Sequence, residues 1–177
     1  RREPQRFVQI GRPRRGCAIV EVFVSGVIED QQMNNFVVLL KEKYGARTLP
    51  IWIGENEAVA IAIALEGIKP QRPLTHDLMK LVLDSFNARI EKVIIADLKN
   101  DTYFAKIYVE RDGDVFALDA RPSDSIALAM RAKSPIWVDD DIMAKSGEVM
   151  QGDSNIEQLR RKLRDTKPEG FGDFELK

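Results

Sequence analysis

The chain alternates apolar runs rich in valine and isoleucine with short polar interruptions, a pattern typical of β-strands joined by tight turns. On this pattern we predict strands over Cys17–Ile28, Asn35–Leu40, Ala46–Ile53, Arg89–Leu98, Thr102–Arg111, Val115–Ala120 and Pro135–Val138. Lys99-Asn100-Asp101 and Asp112-Gly113-Asp114 have the short polar composition of hairpin turns. The pattern therefore indicates strands that pair with their neighbours in sequence.

Other segments have helical patterns. Glu55–Glu66 is dense in alanine and long for a strand; its alternation of larger apolar residues with alanine also fits a strand, and we predict a buried helix. Thr75 can cap a second helix over Thr75–Asn87, in which leucine, valine and phenylalanine form an apolar stripe. Further helices are predicted from Ser123 to about Lys133, over Asp139–Lys145 and over Asn155–Arg164.

Three strands followed by a helix occur twice in this prediction. The segment from Glu57 to Ile63 matches the segment from Asp124 to Met130, because in both an acid precedes the same alternation of large and small residues. We therefore predict an α+β fold with a mixed β-sheet built from a duplicated β3-α unit, with the helices packed on the sheet. The predicted organisation is a basic N-terminal arm over 1–16, a domain over 17–150, and a charged helix and tail over 151–177.

Composition supports a globular domain: 44% of the 177 residues are hydrophobic and 31% are charged. The single cysteine, Cys17, excludes an intramolecular disulfide and suits a reducing compartment, where we expect a buried thiol. No apolar run is long enough to span a membrane, and no basic region precedes an apolar signal core, so we expect a cytoplasmic protein without a membrane partner.

The net charge of −1 is unevenly distributed. The first fifteen residues contain six arginines and one acid, so the rest of the chain is acidic. The arm either contacts the phosphates of a nucleic acid or is a solvated terminus. An acidic body is a poor surface for broad electrostatic binding of nucleic acid.

The only histidine, His76, is predicted next to a helix N-terminus, whose dipole favours the neutral imidazole that a general base or a metal ligand needs. Asp77 follows it, and Arg72 places a cation nearby. The alternative is that Asp77 complements the helix dipole and His76 bonds a backbone carbonyl. The first interpretation makes His76 and Asp77 candidate catalytic residues and Arg72 a candidate substrate-binding residue.

A second group of ionisable residues lies at the junction of a predicted strand and helix. Strand alternation predicts Asp119 and Arg121 on one face, with Ser123 and Asp124 at the start of the helix. Two carboxylates, a guanidinium and a hydroxyl could hold Mg²⁺ or Mn²⁺ and clamp a phosphate, or could form a structural Asp–Arg–Asp network. Glu57 at the equivalent helix of the first half is a weaker substrate-binding candidate. A glycine-rich phosphate loop, a Cys/His cluster and a second histidine are all absent from the sequence.

Several spaced motifs resemble the bifunctional nuclease (BFN) domain family. They are Leu49-Pro-Ile-Trp-Ile-Gly54 with Glu57-Ala58, Arg72-Pro-Leu-Thr-His-Asp-Leu78, Tyr103-Phe-Ala105 and Asp119-Ala-Arg-Pro-Ser-Asp-Ser-Ile-Ala-Leu-Ala129, within a resemblance that runs from about Ala18 to Val149. The resemblance implies an α+β fold that self-associates. It also implies nuclease activity, since plant members are named for DNase and RNase activity.

Three functions are compatible with these residues. In a metal-dependent nuclease, Asp119 and Asp124 would hold Mg²⁺ or Mn²⁺, His76 oriented by Asp77 would transfer the proton, and Arg121 with Ser123 would contact the phosphate. A non-catalytic module would use Arg121 and Arg72 to bind an anionic ligand or a protein. A structural protein would associate through a sheet edge. We expect nucleic acid as the partner, a homodimer or higher homo-oligomer, and convergence of the His76 and Asp119–Asp124 regions on one concave site.

Overall fold

The computed structural model describes residues 18–30 and 35–149. These residues form one eight-stranded sheet and four helices. In chain order the elements are β1 (Ile19–Asp30), β2 (Asn35–Glu42), β3 (Arg47–Ile53), α1 (Glu55–Leu65), α2 (Thr75–Ser85), β4 (Arg89–Lys99), β5 (Thr102–Arg111), β6 (Asp114–Ala120), α3 (Pro122–Ala132), β7 (Ile136–Asp139), α4 (Asp140–Ser146) and β8 (Glu148–Val149). The sheet is mixed, and the predicted α+β class is confirmed.

The strand order in the sheet is β6-β5-β4-β7-β1-β2-β3-β8. All neighbouring strands run antiparallel except β4 and β7, which are parallel. Each half of the chain therefore contributes three consecutive antiparallel strands, and β7 lies between the two sets. The chain order, three strands and then a helix in each half, agrees with a duplicated unit; superposition of the halves stays a prediction.

One hydrophobic core contains residues from both halves and from three of the helices. Its most completely buried side chains include Val38, Leu40, Leu49, Ile61, Val93, Ile95, Ile126, Leu128 and Met143. Strand β2 is buried on both faces, because Val38 and Leu40 face this core while Val37 and Leu39 form a second cluster with Trp52. This double burial explains the uninterrupted apolar run of β2.

The helices are arranged around α3. Helix α1 packs on β1 and β2, α3 packs on β4 and β5, and both α1 and α2 pack against α3. Ile126, Ala127, Leu128 and Ala129 are all buried, so α3 is surrounded by protein, and its alanines permit close approach of the neighbouring elements. Helix α2 differs, since none of its residues is fully buried.

Most predicted elements are present with ends displaced by one or two residues. The ambiguous segment that became α1 is a helix, and both predicted hairpin turns have two consecutive residues with positive φ: Asn100 and Asp101, then Asp112 and Gly113. The short strand β8 was missed, since two residues carry no periodic pattern. The predicted Asn155–Arg164 helix, the arm over 1–16 and Cys17 lie outside the described residues.

None of the helices within residues 18–30 and 35–149 is long and apolar enough to cross a membrane.

Candidate active site

Three helices begin close together, and each has an acid as its third residue. These acids are Glu57 in α1, Asp77 in α2 and Asp124 in α3. A carboxylate in the first turn is stabilised by the positive end of the helix dipole and by free backbone N–H groups. Two of the three acids, Glu57 and Asp124, share one arginine, so the helix starts are linked by side chains.

His76, the second residue of α2, contacts Asp124 of α3. Its Nε2 lies 3.2 Å from Asp124 Oδ1, and the two side chains are 12% and 30% exposed. An ionised carboxylate only accepts hydrogen bonds, so Nε2 carries the proton in this pair and Nδ1 has the free lone pair. No hydrogen bond to Nδ1 is found among the described residues. The pair is therefore a histidine oriented by a carboxylate, with no hydrogen-bond partner for Nδ1 in the described part of the chain.

Arg121, the residue that precedes α3, extends the network to α1. Its Nε donates to Asp124 Oδ2 at 2.8 Å and its Nη2 donates to Asp124 Oδ1 at 3.2 Å. The same Nη2 lies 2.9 Å from Glu57 Oε1. The Arg121 side chain is 66% exposed, so this guanidinium is accessible from solvent. We call Glu57, Arg121, Asp124 and His76 the His76 network.

The network controls the protonation of Asp124. The hydrogen bond with His76 lowers the pKa of Asp124 most; partial burial opposes this effect and the Arg121 guanidinium adds to it, which leaves the pKa at about 2. Asp124 is therefore ionised near neutral pH. The hydrogen bond to Asp124 also raises the pKa of Arg121, which stays charged.

Glu57 folds back over the backbone that precedes α1. A Cβ atom at Gly54 would collide with the Glu57 carboxylate, so glycine at this position leaves room for the side chain to reach Arg121. The glycine and the glutamate of the Leu49–Gly54 and Glu57 motif are therefore structurally linked, because Gly54 leaves space for the Glu57 side chain.

Asp77 is bound to groups other than His76. Its Oδ2 accepts from the Leu74 backbone N–H at 3.0 Å, and its Oδ1 accepts from Arg131 Nε. Partial burial alone would raise the pKa of Asp77, but the Leu74 N–H and the Arg131 guanidinium outweigh burial and lower it. The structure thus places Asp77 in the first turn of α2, where its side chain binds the backbone of the capping residue Leu74, and the residue that holds the His76 ring is Asp124.

Sequence reasoning missed Arg131. Its side chain is 7% exposed and joins three helices, because it contacts Asp77 of α2 and donates from Nη1 to the carbonyl oxygens of Ala60 in α1 and Ala127 in α3. A signal was present: Arg131 follows Asp124 by two helical turns, so both lie on the same face of α3. That face points at α1 and α2.

Asp119 lies on the opposite side of the sheet. It alternates along β6 with Leu118 and Ala120, which pack against the core beneath the helices, so its carboxylate faces away from α3. Its cross-strand neighbour is Lys106. The structure does not bring Asp119 together with Asp124.

The other two candidates are also outside the network. Arg72 is exposed in the connection between α1 and α2. Ser123 is buried as the second residue of α3, and no hydrogen bond of its hydroxyl is found within the described part of the chain.

The residues present do not fit a resident Mg²⁺ or Mn²⁺ ion. Both oxygens of Asp124 already bind Arg121 or His76. No group of three His, Cys, Asp or Glu residues suited to a metal occurs within residues 18–30 and 35–149.

A groove of about 640 Å³ lies away from the His76 network, near the C-terminal ends of α1 and α3. Leu65, Met130 and Val22 are among the residues that line it.

The arrangement has parts useful for phosphoryl chemistry: a histidine oriented by a carboxylate, and an accessible guanidinium that touches the same carboxylate. A guanidinium binds phosphate oxygens well, since its N–H groups match their geometry.

Comparison with known proteins identifies the family of this chain. The family model described as "Bifunctional nuclease domain" matches residues 38–151. An uncharacterized protein of Mycobacterium tuberculosis is 38% identical over 154 residues, which cover 87% of this chain and 92% of that protein. Bifunctional nuclease 1 of Oryza sativa subsp. indica is 28% identical over 123 residues, which cover 68% of this chain and 37% of the rice protein.

Bifunctional nuclease 2 of Arabidopsis thaliana is 27% identical over 125 residues, which cover 69% of this chain and 38% of the plant protein. The matched part of this chain contains α1, α2 and α3 and so the whole His76 network. On the extent of these matches, the chain belongs to the bifunctional nuclease domain family.

Proposed function

We propose that this chain hydrolyses phosphodiester bonds of DNA or RNA at the His76 network. The observation that carries the proposal is the contact between His76 Nε2 and Asp124 Oδ1, which orients the imidazole beside an accessible arginine and uses Nε2, so that Nδ1 has no partner among the described residues. The family and the names of its plant relatives, which are called bifunctional nucleases, support nucleic acid as the substrate class.

His76 acts as the general base. Nδ1 takes a proton from the attacking water as the water oxygen bonds to phosphorus. The bond from phosphorus to the leaving oxygen breaks on the opposite side, where that oxygen takes a proton from solvent, and the imidazolium then releases its proton to solvent. Asp124 holds the ring and stabilises the imidazolium, because it stays ionised. In RNA the 2′-hydroxyl is a second possible nucleophile for the same base.

Arg121 binds the phosphate. Its guanidinium is exposed, and one of its donors is engaged by Glu57, so a phosphate oxygen competes with the Glu57 carboxylate for Nη2. Asp124 retains Nε and fixes the orientation of the guanidinium. Arg72 is a cation on the exposed connection that leads to α2, where it is available to a second phosphate.

Asp77 and Arg131 are positioning residues in this proposal. Their ion pair fixes the first turn of α2 against α3, and this turn carries His76. No step of this mechanism uses a metal ion, because Asp124 has no carboxylate oxygen left for one; the dependence on Mg²⁺ or Mn²⁺ expected from the sequence is a prediction that the assay with EDTA tests.

The test is a digestion assay with highly purified protein on single- and double-stranded DNA and RNA, with Mg²⁺, Mn²⁺ or EDTA. His76→Ala removes the base and is expected to lower the rate by a factor of about 10²–10⁴. Asp124→Asn is expected to lower it similarly, because the amide no longer stabilises the imidazolium. Asp119→Asn is the matched control, since that carboxylate lies on the other side of the sheet, and it should retain the wild-type rate.

Absence of cleavage in every condition, or equal cleavage by folded His76→Ala protein, would contradict the nuclease proposal. The alternative is a binding module that grips an anionic ligand with Arg121 and Arg72, as the high exposure of Arg121 favours. Oligonucleotide binding that survives His76→Ala but is lost on Arg121→Ala, without cleavage, would support that alternative. Nucleic acid as partner and a cytoplasmic location remain predictions.

A further inference from the structure

Glu57 is the member of the His76 network that takes no step in the hydrolysis proposed above. Its Oε1 lies 2.9 Å from Arg121 Nη2, and its side chain is 20% exposed. An acid in the first turn of a helix is ordinary. An acid that occupies the cation meant for a phosphate is not, because it weakens the binding of every anion at that cation.

The backbone before α1 is adapted to this placement of Glu57. Gly54 has an extended conformation, with φ −74° and ψ 164°, which any residue adopts, so the glycine is not required by the path of the chain. What it supplies is space, since a Cβ atom at Gly54 would collide with the Glu57 carboxylate. The glycine therefore serves the position of that carboxylate.

The network contains more negative than positive charge. The guanidinium of Arg121 is shared by the carboxylates of Glu57 and Asp124, and the His76 imidazole is neutral when it acts as the base. The cation of Arg131 does not make up the difference, because it is 7% exposed and bound to Asp77. One carboxylate is thus left without its own counter-charge at the place where the phosphate binds.

This excess distinguishes phosphates by their charge. A phosphodiester within a strand carries one negative charge, whereas a terminal phosphate carries about 1.5–2 near neutral pH. In the contacts of Arg121 with the two carboxylates Nη1 is not used, so a phosphate that binds Nη1 and Nη2 lies next to Glu57. At about 4 Å in water-like surroundings, each further unit of charge on the ligand then weakens binding about fivefold.

We propose that Glu57 makes the Arg121 site selective for singly charged phosphodiesters and excludes terminal phosphate groups. The chain therefore binds the internal linkages of a strand and does not act on a phosphorylated end. The inference rests on the proposed function, because it concerns the same Arg121 site. Glu57 is a specificity-determining residue in it and not a catalytic one.

The experiment compares dimethyl phosphate with methyl phosphate at pH 8, where the first has one negative charge and the second about two. Binding is followed by NMR of the imidazole ring, since the chain has a single histidine. Wild-type protein should bind dimethyl phosphate about fivefold or more tightly than methyl phosphate. In Glu57→Gln this ratio should fall about fivefold, because the amide keeps the shape of the side chain and removes its charge.

Glu110→Gln is the matched control. Glu110 also pairs with an arginine, Arg89, at 2.7 Å and is 23% exposed, but it lies on β5 outside the network. It should leave the ratio unchanged. Gly54→Ala keeps every charge and displaces the Glu57 carboxylate, so it should lower the ratio in the same direction as Glu57→Gln.

Hydrolysis of bis(4-nitrophenyl) phosphate and of 4-nitrophenyl phosphate separates this proposal from the nuclease proposal. Selective binding of the diester without its hydrolysis would contradict the nuclease proposal and support this one. Hydrolysis of both esters at similar kcat/KM would overturn this one alone. It would also be overturned by His76 signals that neither probe shifts, or by a ratio that stays the same in folded Glu57→Gln protein, as a purely structural Glu57 requires.

Discussion

Asp124 receives hydrogen bonds from two side chains, and its protonation should therefore be visible in the stability of the protein. Its pKa is about 2 in the folded chain against an ordinary value of 3.8. A lowered pKa stabilises the fold above the ordinary value, and that stabilisation disappears as the pH falls through the folded value.

The expected result is that Asp124→Asn lowers the free energy of unfolding by about 2 kcal/mol near neutral pH. The difference from wild type should shrink as the pH falls from about 4 to about 2. Urea titrations over this range measure it, with Asp119→Asn as control. A difference that stays constant with pH would show that the His76 and Arg121 contacts do not stabilise the carboxylate.

Single residues also show how far the sequence could predict the site. Acids, an arginine and a histidine at helix starts were predictable, because caps and first turns have local signals. Their pairing was not: His76 and Asp124, or Asp77 and Arg131, meet only because separate helices pack together. Strand alternation failed at Arg121, because β6 ends at Ala120 and Arg121 already has the backbone of a helix cap.

Of all the helices and strands, α2 is the element whose stability should depend most on Arg131. Arg131→Met keeps a long apolar side chain but leaves the Asp77 carboxylate without its cation and removes the donor to Ala60. The free energy of unfolding should fall by about 2–4 kcal/mol. Amide hydrogen exchange should also accelerate most in Thr75–Ser85.

The matched control is Arg111→Met, since Arg111 is exposed and pairs with the adjacent Asp112. Its effect should stay within about 0.5 kcal/mol. Uniform acceleration of exchange throughout the chain by Arg131→Met would mean that Arg131 supports the whole core and not α2 in particular.

Helical periodicity predicted the apolar side of α2 but not that it is exposed. A stripe that faces a core and a stripe that faces solvent have the same spacing. For α1 the spacing of the apolar residues fitted a strand as well as a helix. Its length and its alanine content gave the correct assignment, because alanine favours a helix and eleven residues is long for a strand.

At the scale of the whole molecule, residues 1–15 form a basic arm and the rest of the chain is acidic. If the arginines of residues 1–15 neutralise phosphates, deleting these residues should weaken nucleic-acid binding. The slope of log K against log salt should flatten by about 0.7–0.9 for each phosphate that the arm neutralises. Affinity measured at several salt concentrations tests this.

Full-length protein with the six arm arginines changed to glutamine separates charge from length, and it should behave like the deletion. An unchanged slope in both proteins would show that the arm does not contact phosphates.

Strand β7 has a consequence for the order in which the protein folds. Within the described sheet it is the strand that joins β4 to β1, yet it is synthesised after all three helices that surround the His76 network. Until Ile136–Asp139 leaves the ribosome, the edges of β1 and β4 lack their partner and are open to other chains. A late central strand also raises the sequence separation of native contacts, which slows folding. The nascent chain is therefore most exposed to aggregation just before its shortest internal strand appears.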